Sequence, residues 1–151
     1  MQISHKTLAF QTKDEFDFID FTDEVEKFVR TTEIKNGFVN IQTMHTTALL
    51  FLNENEPLLL EDFKQHLSQI SPKGANYNHD DFTKRTVNMC AGECQNGHSH
   101  CKALHFPSNL VLNVIDGKMQ LGQWQRIFLA ELDKSRPRKV QIQVMGELTT
   151  F

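Results

Sequence analysis

The chain has 151 residues, 23% charged and 39% hydrophobic, the size and balance of one folded domain rather than of a disordered segment. A formal net charge of -3 argues against a dedicated nucleic-acid binder, and the one basic cluster, Lys134 to Lys139, is short enough to be a turn or a local anion site. No apolar run approaches the ~20 residues that cross a bilayer, the N-terminus does not read as a signal peptide, and three closely spaced cysteines are not a disulfide framework, so a cytoplasmic protein without a membrane partner is expected.

"ISHKTLAF" and "EFDFIDF" alternate or nearly alternate and predict an opening strand pair. "FTDEVEKFVRTT" changes period: Thr22 as N-cap, Asp23 and Glu24 at the positive end, and Val25, Phe28 and Val29 as an apolar stripe predict a helix stopped at Asn36-Gly37. "GFVNIQTMHTTALLFLNEN" predicts two strands broken near His45-Thr46-Thr47. Pro57 suits a first helical turn, with Leu59, Leu60, Phe63, Leu67 and Ile70 at helical spacing behind it.

From Ser71 to about Gly97 the chain is polar and rich in Asn, Asp, Gly and Cys, a long loop of the kind that carries function, ended by a short helix near Ser99 to Leu104. "NLVLNVI", the turn pair Asp116-Gly117, "KMQLGQWQRIFLAEL" and "RKVQIQVMGEL" predict a closing antiparallel meander. With no repeat or linker, the chain reads as one α+β domain over 1–151: a mainly antiparallel sheet with two or three packed helices.

The segment "MCAGECQNGHSHCKALH" holds all three cysteines and three of the seven histidines. Cys90 and Cys94 have acceptable metal-ligand spacing, but His98, His100 and Cys101 follow too closely for a knuckle or finger, so the cysteines are expected as small apolar packing residues. His45, His79, His98, His100 and His105 fall in loops or at strand ends, with Glu54, Glu56, Asp80 and Asp81 nearby, whereas His5 and His66 read as surface positions. Histidine with carboxylate suits a divalent metal or a proton-transfer pair.

"HTTALLFLNEN", "YNHD", "NGHSHCKA", "DGKMQLGQWQRIFLAE" and "SRPRKVQIQVMGE" together resemble the YjbQ-type family, often labelled secondary thiamine-phosphate synthase, across essentially the whole chain. The resemblance implies a compact α+β fold assembling as a homotrimer, with a polar pocket near the subunit boundary. It puts a metal-binding or catalytic cluster at His45, His79 and His100, and acidic positions at Glu54, Asp62 and Asp80. Trp124 and Gln125 match the family's tryptophan-glutamine pair, and Arg136 and Arg138 its basic turn. Cys90, Cys94, Cys101 and His98 have no counterpart role.

The implied reaction joins a pyrimidine diphosphate to a thiazole phosphate and releases pyrophosphate. Charge builds on the leaving oxygens, which calls for a divalent cation (Zn, Mg or Mn) and cationic or N–H donors in a dry pocket. His45, His79 and His100 would hold the metal, with Asp80 or Glu54 beside it. Arg136, Arg138, Lys102, Thr46, Thr47 and Ser99 would meet phosphate oxygens of the small phosphorylated metabolite. The alternatives are a metal-dependent hydrolase or lyase acting on another small anionic metabolite, and a non-catalytic ligand-binding trimer.

Overall fold

From Pro137 to Val144 the chain alternates strictly between exposed and buried side chains, with Arg138, Val140, Ile142 and Val144 turned inward. That period of two is what a strand with one wet face requires, and this strand organises the protein. In the computed structural model, which describes residues 1–148, the order of elements is β1 (Gln2–Gln11), β2 (Phe18–Asp20), α1 (Thr22–Thr31), β3 (Ile34–Thr43), β4 (Ala48–Asn53), α2 (Pro57–Ile70), α3 (Gly97–Ala103), β5 (Asn109–Ile115), β6 (Lys118–Met119), β7 (Arg126–Glu131) and β8 (Pro137–Leu148). A five-stranded sheet runs β1-β8-β3-β5-β6 and a three-stranded one β2-β7-β4, with every pairing antiparallel. The α+β architecture expected from the sequence is therefore present.

One apolar cluster joins the sheets. It takes Val39 and Ile41 from β3, Leu112 and Val114 from β5 and Val140, Ile142 and Val144 from β8, and meets Ala48 and Leu50 of β4 and Ile127 and Leu129 of β7. Val25 and Val29 of α1 close one end of it. The alternate residues of the small sheet, Leu49 and Ala130, form a second cluster with Leu132, against which Phe16, Phe18, Phe51, Ala103 and Phe106 pack. Strand β7 is thus covered on both faces, which is why "IFLAE" reads as an uninterrupted apolar run ending in a buried Glu131. Helix α2 covers this side through Phe63, which meets Phe18 and Phe51 edge-on at centroid distances of 6.2 and 5.7 Å.

Several expectations are corrected. The first two strands do not pair with each other: β1 lies against β8 and β2 against β7. The meander is broken because β7 leaves for the small sheet and β8 returns to the large one, between β1 and β3. Phe21, not Thr22, precedes the first helical residue of α1, and the Thr22 hydroxyl instead accepts the Ile127 N–H at 2.7 Å. The helix ends at Thr31, followed by Glu33 at φ 58°, and Asn36-Gly37 lies inside β3. Gly37 stands opposite Gly146, and a Cβ on either would overlap the other strand's backbone or the adjoining β3 backbone, so glycine here serves close approach and not a turn.

Candidate functional site

Three connections cross from the large sheet to the small one at the same end of the molecule: residues 12–17 after β1, 44–47 after β3 and 132–136 before β8. The chain leaves one ladder before joining another, so its backbone groups need new partners. Leu132 N–H donates to the Thr47 carbonyl at 3.1 Å, Thr12 N–H to that of Arg136 at 3.1 Å, and Phe16 N–H to that of Glu131 at 2.8 Å. This seam carries His45, Thr46, Thr47, Arg136 and Arg138.

Two carboxylates anchor the arginines from behind. Glu131, with no exposed surface, takes a bidentate ion pair from Arg138 through Nε and Nη2, a hydrogen bond from Thr12 Oγ1 at 2.8 Å and one from the Asp133 N–H at 3.0 Å. The Arg138 Nη2 also reaches Thr47 Oγ1 at 3.0 Å. Asp133 accepts from Arg136 Nε at 2.9 Å and from Asn96 Nδ2 at 3.2 Å, while Arg136 Nη2 lies 3.4 Å from Cys94 Sγ. Although burial opposes it, bonding to Arg136 and Asn96 lowers the Asp133 carboxyl below its ordinary range. Arg136 and Arg138 line one cavity of about 330 Å³ together with His45, Thr46, Glu93, Asn96 and His100.

The histidines sort by environment. His79 and His100 lie side by side with ring centroids 4.7 Å apart. Burial first, and then the neighbouring His79, lower the pKa of His100, so its ring is neutral at pH 7. His79 Nε2 is buried without a hydrogen-bond partner. His45 is likewise lowered, by burial and then by Arg138, and its Nε2 accepts the Lys139 N–H at 2.7 Å. A neutral ring that accepts at Nε2 must carry its proton on Nδ1, so His45 offers an N–H donor there.

Other predicted positions serve elsewhere. Asp80 Oδ1 accepts the N–H groups of Asn96 and Gly97 at 2.9 and 2.8 Å, capping α3, whose first residue must be glycine because a Cβ would lie 2.5 Å from that of Tyr77. Ser99 is fully buried and donates to the Leu132 carbonyl. Lys102 is fully buried too, paired with Glu15 at 3.0 Å, and neither it nor Ser99 borders the cavity. Glu54 follows β4 at the far end from Ala48, beside the cluster in which Arg126 pairs with Asp20, and exposed Trp124 lies on the loop leading into β7 at that same end. Asp62 is an exposed residue of α2.

The cysteines depart from the packing expectation. Cys90 is exposed at the cavity rim, and Cys94 and Cys101 are only half-buried. Among the described residues no three His, Cys, Asp or Glu side chains are grouped to hold a metal ion. For a divalent metal the donor set is therefore partly present: His79 and His100 fit as a pair, while His45 spends Nε2 on the backbone. Sequence reasoning offered Asn96 beside His100, and Asn96 does border the cavity; it missed Glu131 and Asp133. The one signal for Glu131 was a carboxylate at the end of an apolar strand, where only a buried cation makes it tolerable.

A family model described as UPF0047 protein YjbQ-like matches residues 6–147. A UPF0047 protein of Methanothermobacter thermautotrophicus is 33% identical over 97% of this chain and 95% of its own, and one from Archaeoglobus fulgidus 35% identical over 91% and 98%. The crystal structure of a YbjQ-like protein from Sulfolobus solfataricus superposes with a TM-score of 0.87 at 30% identity, covering 97% of this chain and 99% of that one. A YjbQ/UPF0047 protein from Clostridium acetobutylicum gives 0.76 at 30% identity, over 94% and 99%. This chain belongs to the YjbQ-like family, UPF0047.

Proposed function

We propose that the protein is an enzyme acting on a small phosphorylated metabolite, with secondary thiamine-phosphate synthesis as the specific reaction. One observation carries this reading: Arg136 and Arg138, each fixed by a buried carboxylate, line the cavity that also holds His45 and His100. Guanidinium groups already held in place meet an anionic leaving group without further ordering, which is how charge developing on pyrophosphate oxygens is stabilised. In the reaction a ring nitrogen of the thiazole forms a C–N bond at the pyrimidine methylene, while the C–O bond to pyrophosphate breaks. Arg136 and Arg138 receive the departing oxygens, and His45 Nδ1–H is the donor suited to them.

Incubating the protein with both phosphorylated precursors and Mg2+ or Mn2+, and assaying thiamine phosphate as fluorescent thiochrome phosphate, tests the reaction. Product above background that falls on His100→Ala and Arg136→Ala is expected; absence of product refutes the named reaction.

Metal-dependent hydrolysis or elimination on another small anionic metabolite is the second reading, and the unpartnered buried Nε2 of His79 is what favours it. His79 and His100 would supply two ligands for Zn, Mg or Mn, with His45 turned in as a third. Stoichiometric metal in protein purified without chelator, lost on His79→Ala, is the expected result; metal-free protein counts against it. The proposal includes assembly as a homotrimer, which rests on the family resemblance alone, and a cytoplasmic location, which three free cysteines suit. Light scattering on purified protein tests the trimer.

A further inference from the structure

The cavity lined by the arginines has a neighbour. A second cavity of about 400 Å³ shares His45, Thr46 and His100 with it as lining residues. Its remaining walls are chiefly apolar: Ala48, Ala103, Leu104, Phe106 and Pro107. The first cavity is the opposite in character, walled by Glu93, Asn96, Arg136 and Arg138. Each lies near the low end of the roughly 300–1,000 Å³ typical of small-molecule sites. A ligand that filled only one of them would leave the two histidines at its edge rather than against it.

Two details sharpen the chemistry. Asn96, 6% exposed, gives its Nδ2 to Asp133, which fixes the amide orientation and leaves Oδ1 buried without a partner. An acceptor in that state asks for a donor on whatever occupies the polar half, such as a protonated phosphate oxygen or a hydroxyl. On the apolar side Leu104 is 84% exposed despite being a large hydrophobic residue, and it borders the cavity. A leucine so placed gains its burial when an apolar group lies against it.

We propose that the ligand is bipartite: a phosphate or other oxyanion between Arg136, Arg138 and Asn96, joined to a flat apolar or aromatic ring seated against Leu104, Phe106 and Pro107. The bond linking the two parts then lies at the ridge of His45 and His100. The proposal rests on the anion-site reading of the previous subsection and adds the chemistry of the other half. It makes Leu104 and Phe106 residues that select the ring and Arg136 and Arg138 residues that select the head.

Calorimetric titration with benzyl phosphate and methyl phosphate, which share a head and differ in the ring, separates the two claims. Benzyl phosphate binding about tenfold tighter or more is expected, from burial of one ring. Leu104→Ser, at an exposed position that does not threaten folding, should remove most of that advantage and leave methyl phosphate unchanged. Cys101 borders the apolar half, so benzyl phosphate and not methyl phosphate should slow its alkylation by iodoacetamide, read by peptide mass spectrometry. Equal affinity for the two phosphates overturns the bipartite ligand while leaving the anion site standing. Tighter benzyl binding with neither Cys101 protection nor a Leu104→Ser effect places the ring elsewhere and also overturns it. Binding of neither compound removes the anion site and this inference with it.

Discussion

Glu131→Ala tests the reasoning most directly, because Glu131 has no solvent exposure and the arginine it holds is 4% exposed. Truncation strips Arg138 of both carboxylate oxygens, leaving it only the carbonyl and hydroxyl of Thr47. The Thr12 hydroxyl and the Asp133 N–H lose an acceptor at the same time. Removing one partner of a buried ion pair costs about 3–5 kcal/mol, because the other charge stays where water cannot reach it. Against a total stability of about 5–15 kcal/mol that is a large share. It corresponds to a melting temperature lower by roughly 6–20 °C at this chain length. Urea unfolding should be followed by far-ultraviolet circular dichroism, since the single tryptophan is 63% exposed and a weak reporter. In a double-mutant cycle, Glu131→Leu with Arg138→Met should cost well under the sum of the two single changes. A loss below about 1 kcal/mol for Glu131→Ala, the range of a surface pair, or strict additivity in the cycle, would refute the claim that this pair anchors the seam.

Three further outcomes are expected. Asp80→Ala removes both hydrogen bonds that cap α3 and should cost about 1–2 kcal/mol, whereas Asp80→Asn keeps an acceptor oxygen and most of the stability; if Asn is as damaging as Ala in denaturant titrations, the capping role fails. His45, His98 and His100 all have folded pKa values depressed below the ordinary 6.5, by burial first, so the stability they contribute is complete above that pH and is lost as the pH falls through it toward the folded values. Each adds at most about 1.4 kcal/mol per pH unit in that window, and unfolding between pH 5 and 8 should show a shallower slope for His100→Asn; an unchanged slope removes His100 from the account. Gly146→Ala would set a Cβ against Ile34 and the backbone at Asn36 and Gly37, and should destabilise by about 1–3 kcal/mol, so a neutral effect on the melting temperature would show that the β3–β8 contact relaxes freely.

Periodicity made most of the elements legible, because a strand such as β8 or a helix such as α2 is written in its own residues. The break at His45-Thr46-Thr47 and the hairpin at Asp116-Gly117 were equally local. Partner choice was not. "ISHKTLAF" and "EFDFIDF" are adjacent strands in sequence, and nothing in either says that the first pairs with residues 137–146 and the second with β7. The same limit governed the site. Family resemblance picked out His45, His100, Arg136 and Arg138, which share a cavity, whereas the chemistry expected of a phosphate site added Ser99 and Lys102, which are buried away from it. A lysine with no exposed surface is visible only once Glu15 has come within 3.0 Å of it from 87 positions away.

The position of the site follows from how the two sheets are connected. A sheet interior leaves no backbone group free, whereas a chain that switches sheets exposes several at once. Here three such connections lie side by side, and their surplus groups are matched to one another and to Thr12, His45 and Glu131. Polar side chains are thus required at this end for folding, before any ligand is considered. A residue that must be buried, charged and immobile to close the seam is also one whose remaining donors point in fixed directions. Arg138 meets both demands: Glu131 and Thr47 hold it, and its outer edge borders the cavity. Little ordering is then left for a ligand to impose, so the residues that join the sheets are also those best prepared to bind an anion.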